Sequence, residues 1–529
     1  MARQTQAGAG VRSVNPATLE EVGSVPVSPP EEVAEAVAEA RMAAERWARS
    51  SFAERRALLG AVAQEALAQA DELAATVTAE TGKPLVESYT AELFVGLDNI
   101  VWAGSNAGRV LQPEGLPFPQ RHLRHKRGWL LYEPLGVIAV ISPWNFPLGI
   151  PLTQAAFAIA AGNAVVVKPS ERAPLSGAWV ERLFRAAGAP EGLVRVVQGP
   201  GSTGEALVRS PGVAKVVFTG SGAVGRLVAA AAGERLRPVT LELGGKDPML
   251  VFEDADLDRA VAGALWGSFS NSGQVCSAVE RIYVALPLQE AFVEELVRRA
   301  RALRLGRGED LATELGPLIA EERRAHVEEL VDDALERGAE LRTGGRRGET
   351  GLPGWFYEPT VLTGVEREAR IEREEIFGPV VTVGSFRDED EAVRLANGSS
   401  FGLGASVWTT DGARARRLAR RLEAGSVWSN DVSYSYGTGQ ASWGGTKESG
   451  FGRTHSKHGL YELSRLKFAD LDPGRVPVPW WYPYDERLLD GFEGVLELLY
   501  GEGLPRKLAS VWQHRRGLLR LGRRYLSGS

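Results

Sequence analysis

Residues 136–171 read GVIAVISPWNFPLGIPLTQAAFAIAAGNAVVVKPSE. A nearly uniform apolar run, Gly136 to Ile141, is followed by a helical stretch and then by a second apolar run, Ala164 to Val167. Runs this short and this apolar are expected of strands buried on both faces, as in a parallel sheet. The alternation continues outward through Val194 to Val197, Lys215 to Phe218 and Thr240 to Leu243. Residues 136–245 therefore predict a doubly wound α/β unit, a fold whose ligands bind at the carboxyl ends of its strands. On the N-terminal side, Ser28-Pro-Pro-Glu31 has capping-box spacing, and Val33, Val37 and Ala40 lead toward Trp47 at helical intervals. A second helical stretch runs from about Ala53 to Thr78 and stops at Thr81-Gly82-Lys83-Pro84. On the C-terminal side, residues 246–445 give another α/β pattern. Its helices are expected near 254–270, 286–303 and 320–338, and its strands at Ile282 to Val284 and Val380 to Val383.

The 529 residues suit about three domains. With 44% apolar and 24% charged residues, the chain is neither disordered, collagenous nor a small disulfide scaffold. A net charge of −6 argues against a nucleic-acid partner. The single cysteine, Cys276, excludes an internal disulfide, a CxxC pair or a thiolate metal cluster. MARQTQAGAG at the start has no apolar h-region, and no run of about 18 apolar residues occurs, so the expectation is a cytoplasmic protein without a membrane span. The end of the chain differs from the rest. PVPWWYP at 477–483 reads as a linker, and Arg506 to Arg524 carries seven Lys/Arg and no acid. That run predicts a basic amphipathic helix, which either touches a membrane surface or acidic partner, or docks as an arm on the protein's own subunits; the second reading is preferred.

Several short motifs can carry chemistry. Gly199-Pro-Gly201-Ser-Thr-Gly204 and Gly220-Ser-Gly222-Ala-Val-Gly225 both match GxGxxG after an apolar strand. Such turns either bring backbone N–H groups to a phosphate or are plain tight turns. Lys168-Pro-Ser-Glu171 follows the second strand, where an acid can accept from a ribose diol. Glu242 ends an apolar strand, where burial would raise its pKa toward the range of a general base. Cys276 follows Gly273-Gln-Val; it is either an inert core thiol or a thiolate favoured by nearby N–H groups and a cation. His455-x-x-His458 reads as a surface pair, and no metal site is expected.

Taken together these segments resemble the aldehyde dehydrogenase superfamily over about residues 11–470. The motifs are Pro143-Trp-Asn-Phe-Pro147, KPSE at 168–171, Phe218-Thr-Gly-Ser221, LELGGK at 241–246, GQVC at 273–276 and Glu374-Glu-Ile-Phe-Gly-Pro379. The resemblance implies a Rossmann-like cofactor-binding domain (1–119 and 135–244) and an α/β catalytic domain (245–447). It also implies a small β oligomerisation element (120–134 and 463–472) and a C-terminal extension (473–529). By similarity Cys276 is the nucleophile, Asn145 completes the oxyanion hole with the Cys276 N–H, and Glu242 activates water for thioester hydrolysis. Cofactor binding falls to Trp144, Lys168, Ser170, Glu171, Gly201, Phe218, Gly220, Ser221, Leu243, Glu375 and Phe377. NAD is expected, with some tolerance of NADP. The substrate tunnel would include Phe146, Ile150, Thr153, Val275, Ser277 and Tyr434, with Tyr436 nearby, a lining that suits aliphatic or aromatic aldehydes. A homo-oligomer, dimer or tetramer, is implied.

Two departures stand out. Ser442-Trp443-Gly-Gly replaces the family's usual Pro-Phe-Gly-Gly near the tunnel mouth, and the chain runs on past residue 470. Trp480, Trp481, Tyr482 and Tyr484 are expected to fold over a subunit surface and line or restrict substrate access. Two other classes compete with the dehydrogenase: a cysteine esterase or amidase, which would want a histidine base, and a non-catalytic binding protein on the same fold.

Overall fold

The computed structural model describes residues 10–476 and 478–527. The chain forms two compact units, the first extending to Leu111 and resuming over Glu133–Arg465, the second made of Gln112–Tyr132 and the residues from Leu466 onward.

The first unit holds two large sheets. In one, β1 (Val137–Ile141), β2 (Ala164–Lys168), β3 (Val194–Val196), β4 (Val213–Thr219) and β5 (Val239–Glu242) lie parallel in the order β5-β4-β1-β2-β3, with Gly450–Phe451 antiparallel at the β5 edge. Every residue of β1 and β2 is buried, which is why these strands are apolar on both faces. The strand order reverses between β1 and β4, so their carboxyl ends open a crevice. The helix after β1, Gly149–Ala160, is buried all round, consistent with its almost wholly apolar sequence.

The other sheet has seven strands. Asp247–Val251 and Val279–Ala285 lie at its centre, flanked by Val380–Phe386 and Thr360–Thr363 on one side and Gly404–Trp408 and Ser426–Ser429 on the other. All pairs are parallel except Glu340–Thr343 with Thr360–Thr363. The helices expected at 254–270, 286–303 and 320–338 are Leu257–Phe269, Gln289–Ala300 and Glu321–Glu336.

Two local expectations are corrected. Ser28 does not cap its helix, which begins at Pro30 behind Pro29; the Ser28 hydroxyl donates instead to Glu32, at 2.8 Å. The chain does form a capping box at Ser51 and Glu54, where the Glu54 N–H donates to Ser51 Oγ and the Ser51 N–H to Glu54 Oε2. The second helical stretch is broken at Gln69 into Phe52–Ala68 and Ala70–Thr81. Gly82 ends the latter at φ 74°, in the left-handed region that favours glycine.

In the second unit the basic run is not one helix but two, Leu504–Gln513 and Arg515–Ser527, broken at His514. Part of its charge is paired within the unit: Arg506 with Glu497 at 2.8 Å and Arg520 with Asp485 at 3.1 Å. Trp481, Tyr482, Tyr484 and Trp512 are exposed. Pro477, in the expected linker, lies outside the described residues. Among the described residues no helix is long and apolar enough to cross a membrane.

Candidate active site

The carboxyl ends of β1, β4 and β5 deliver Trp144 and Asn145, Gly220 and Ser221, and Glu242 to Gly244 to one place. With Cys276, Glu375 and Phe377 they line a cavity of ≈ 160 Å³. Ser221 caps helix Gly222–Gly233, its Oγ accepting from Val224 N–H at 3.4 Å, so the start of that helix, at Gly220 and Ser221, stands on the cavity wall. Phe377, at φ 51°, sets its ring edge-on to Trp144 with centroids 5.4 Å apart. Glu375 Oε1 accepts from Gly245 N–H at 3.0 Å; a Cβ on Gly244 would stand 2.5 Å from that carboxylate and would push it from this position.

The Cys276 loop is strained on the way in. Asn271, Ser272 and Gly273 have φ of 49°, 56° and 70° in succession. Their surroundings fix them: Asn271 N–H donates to Glu87 at 2.8 Å, Ser272 Oγ to Gly316 O at 2.7 Å, and Ile319 N–H to Gln274 Oε1 at 2.9 Å. Asn145 is tied to the same loop, its side-chain amide donating to Gln274 O at 3.0 Å. An NH2 group has a second hydrogen, which remains for another acceptor.

Cys276 is half-buried. Burial raises its thiol pKa well above the ordinary value, and the Asp247, Glu242 and Glu375 carboxylates raise it further. The Ser277 backbone N–H pulls the other way, as expected of a thiolate site, but the expected cation is not among the groups acting on it, so the balance favours the neutral thiol. Glu242 is buried at the end of β5, and burial pushes its carboxyl up to about 8 against the pull of Arg453, Thr454 and Trp443. Its Oε1 accepts from Thr454 Oγ1 at 3.5 Å; its Oε2 has no partner. Glu375 is likewise pushed up to about 8, by burial and then by Glu280.

A second cavity, ≈ 390 Å³, meets the first at Cys276 and Ile150. Phe146, Ile150, Val275, Ser277, Tyr434 and Tyr436 line it, as expected, and Trp443 joins them. Thr153 does not. It lies three residues, about 300° of helical turn, past Ile150, and faces a separate pocket with Thr240 and His455. Sequence reasoning missed Phe94, Trp266 and Glu87 on the wall. Trp266 and Phe94 are exposed aromatics on helices, a signal visible only once the helix faces are known. Burial pushes the Glu87 carboxyl up to about 7 despite Lys83 nearby.

Lys168, Ser170, Glu171, Gly201 and Phe218 line neither cavity. Lys168 pairs with Glu171 at 2.9 Å at the end of β2, beside the first glycine turn, where a Cβ on Gly204 would come 3.8 Å from Lys168 Cδ. Burial opposes ionisation of Glu171, but Lys168, a backbone N–H and Arg172 together outweigh it and hold the carboxyl below its ordinary value. Phe218 is buried beneath Gly220 rather than open to the crevice. The surface reading of His455 is also corrected. It is buried, its pKa pushed down to about 3 by that burial, and its Nδ1 meets Thr454 Oγ1 at 3.0 Å, while His458 is exposed. Among the described residues one cluster has metal-ligand geometry, Asp490, Glu493 and His514 in the second unit.

Comparison with known proteins agrees with this geometry. The model of the aldehyde dehydrogenase family matches residues 3–469. A betaine aldehyde dehydrogenase of Sinorhizobium fredii is 39% identical over 480 residues, covering 90% of this chain and 96% of the relative. Betaine aldehyde dehydrogenase from Staphylococcus aureus, solved in complex with NAD+, has a TM-score of 0.85 at 35% identity, with 89% of this chain and 93% of that one covered. An NADP-dependent enzyme of E. coli has a TM-score of 0.84 at 36% identity, with 88% and 95% covered. The chain therefore belongs to the aldehyde dehydrogenase family and is an NAD(P)-dependent oxidoreductase acting on aldehydes.

Proposed function

We propose that the protein oxidises an aldehyde to its carboxylic acid through a covalent intermediate on Cys276, with Asn145 and Glu242 as its working partners. The observation that carries this reading is the junction of the two cavities. Cys276 opens on both, Glu242 and Asn145 stand on the polar one, and the apolar one is large enough for an organic chain. Cys276 Sγ adds to the aldehyde carbonyl and gives a thiohemiacetal. The oxygen that gains charge is received by the free amide hydrogen of Asn145 and the Cys276 N–H; one such donor is worth on the order of 3 kcal/mol. The nicotinamide dinucleotide, when bound, supplies the hydride acceptor that turns this adduct into a thioester. Glu242 then takes a proton from water, which attacks the thioester and releases the acid. Burial raises both pKa values, so the proton that leaves sulfur as it adds passes to the ionised fraction of Glu242, which releases it to solvent before it acts on water.

The residues fit that cofactor. The open helix turn at Ser221 suits a pyrophosphate, the Glu375 carboxylate a ribose diol, and the Phe377–Trp144 pair the face of a flat ring. Lys168 and Glu171 suit the second ribose, and an ionised Glu171 disfavours a 2′-phosphate, which supports NAD over NADP. Ser170, Gly201 and Phe218 belong to the same adenosine side in this reading. The domain roles follow: 1–119 and 135–244 for cofactor, 245–447 for catalysis, 120–134 with 463–472 for assembly into a cytoplasmic dimer or tetramer, and 473–529 as an arm.

The apolar and aromatic wall supports aliphatic or aromatic aldehydes. Glu87 favours a second reading, a quaternary-ammonium aldehyde such as the relatives' names record, because a carboxylate among aromatic faces suits a cation. An aldehyde panel run with NAD and NADP tests both. Aldehyde-dependent growth of absorbance at 340 nm is expected, and ester hydrolysis without it would instead support a cysteine hydrolase.

A further inference from the structure

Beneath Asn145 lies a buried ion pair that neither cavity touches. Lys83 and Glu92 are both fully buried, with Lys83 Nζ 2.7 Å from Glu92 Oε1. The ammonium also donates to the backbone carbonyl of Asn145 at 2.7 Å and stands 4.3 Å from the centre of the Phe146 ring. Its three hydrogens thus have an acid, a carbonyl and a π face to meet. Glu92 Oε2 accepts from the N–H groups of Leu148 and Gly149 at 3.1 and 2.6 Å, where the helix Gly149–Ala160 starts without a side-chain cap of its own. Gly149 permits this approach, since a Cβ there would stand 3.1 Å from that oxygen. One ion pair therefore grips the turn that presents Asn145 from both sides, by its carbonyl at 145 and by its N–H groups at 148 and 149.

The grip is itself rigid. Lys83 follows the left-handed Gly82, and Leu85 N–H donates to Gly308 O at 2.9 Å. A Cβ on Gly308 would run to 2.2 Å from Lys83 O, so the backbones are in direct contact. Glu92 sits in a π-helical turn, Ser88–Phe94, a rare distortion that is frequent at functional sites. The Asn145 carbonyl accepts from Asn271 Nδ2 as well, at 3.1 Å, so the turn and the Cys276 loop share one anchor.

We infer that Lys83, paired with Glu92, is the positioning residue for the amide of Asn145, holding the turn so that the amide points at the oxygen bound to Cys276. The inference rests on the reading of Asn145 as an oxyanion donor. A misplacement of about 1 Å in such a site costs on the order of 10²-fold in rate.

The test is a double-mutant cycle on the full chain. The double variant Lys83→Met/Glu92→Gln removes both charges together, so no buried charge is orphaned. It is expected to lower kcat about 10- to 100-fold, with the affinity for NAD, read by fluorescence titration, unchanged. In an Asn145→Ala background the same two changes are expected to cost less than about twofold, because the donor they position is gone. Lys83→Arg keeps the charge with a different reach and is expected to follow the same pattern, which covers a double variant that fails to fold. Equal losses of kcat in both backgrounds, or no loss in either, overturn the inference. An Asn145→Ala enzyme as fast as the parent removes the oxyanion reading and this inference with it, a result distinguishable from the other two.

Discussion

The two cavities that meet at Cys276 are built in different ways. The polar one is made by the backbone: strand ends, glycine turns and a helix N-terminus place Ser221, Glu242 and Glu375, and Gly244 lets the Glu375 carboxylate lie against the main chain. The apolar one is made by side chains, aromatic and aliphatic, projected from helices and from the loop at 433–438. Backbone geometry is shared by every substrate, whereas side-chain bulk selects among them. Changes on the polar side should therefore alter the reaction, and changes on the apolar side should alter which aldehyde reacts.

The sharpest way to break this contrast is at the junction. Cys276→Ser is expected to lower turnover of every aldehyde by about 10⁴-fold or more while NAD still binds, checked by steady-state rates and fluorescence titration. Asn145→Ala is expected to cost about 10²- to 10³-fold in kcat for all aldehydes alike, which a panel with one rate per substrate would read. With Glu242 near 8, its base form grows as pH rises, so kcat limited by acyl hydrolysis should climb about tenfold per unit below pH 8 and level off above; a profile from pH 6 to 10 checks this. The smallest effect lies on the apolar side. Trp266→Ala or Glu87→Gln is expected to shift the ratio of kcat/KM between a neutral and a cationic aldehyde by about tenfold, with the pH profile retained. A uniform loss across the panel would contradict the division between the two cavities.

The same contrast explains what was legible in the sequence. Strands β1, β2 and β4 were readable because burial on both faces demands runs rich in Val and Ile, and the turns after β3 and β4 because their glycines stand out at GxGxxG spacing. Asp247–Val251, central to the second sheet, was not read: it opens on Asp-Pro, which looks like a turn, and its burial depends on neighbours far along the chain. The capping-box pattern misled at Ser28, where Pro29 and Pro30 move the helix start, and was overlooked at Ser51, where the box forms. Cys276 and Glu242 were found by motif, yet the charge environment of the sulfur was misjudged, because Asp247 and Glu375 reach it from other strands and loops. Trp266, Glu87 and the Lys83–Glu92 pair carry no local signal. Their partners are set by the packing of helices, and Lys83 meets Asn145 across 62 residues of sequence.

One measurement addresses the central pairing of Cys276 with Glu242. Glu242→Gln enzyme is mixed with NAD and aldehyde, NADH is followed in the first turnover, and the quenched protein is weighed by intact-mass spectrometry. The expected result is a burst of about one NADH per site, followed by turnover at least about 10²-fold slower than the parent, with an acyl group on Cys276. Turnover at the parent's rate, with Cys276 unmodified, would contradict it.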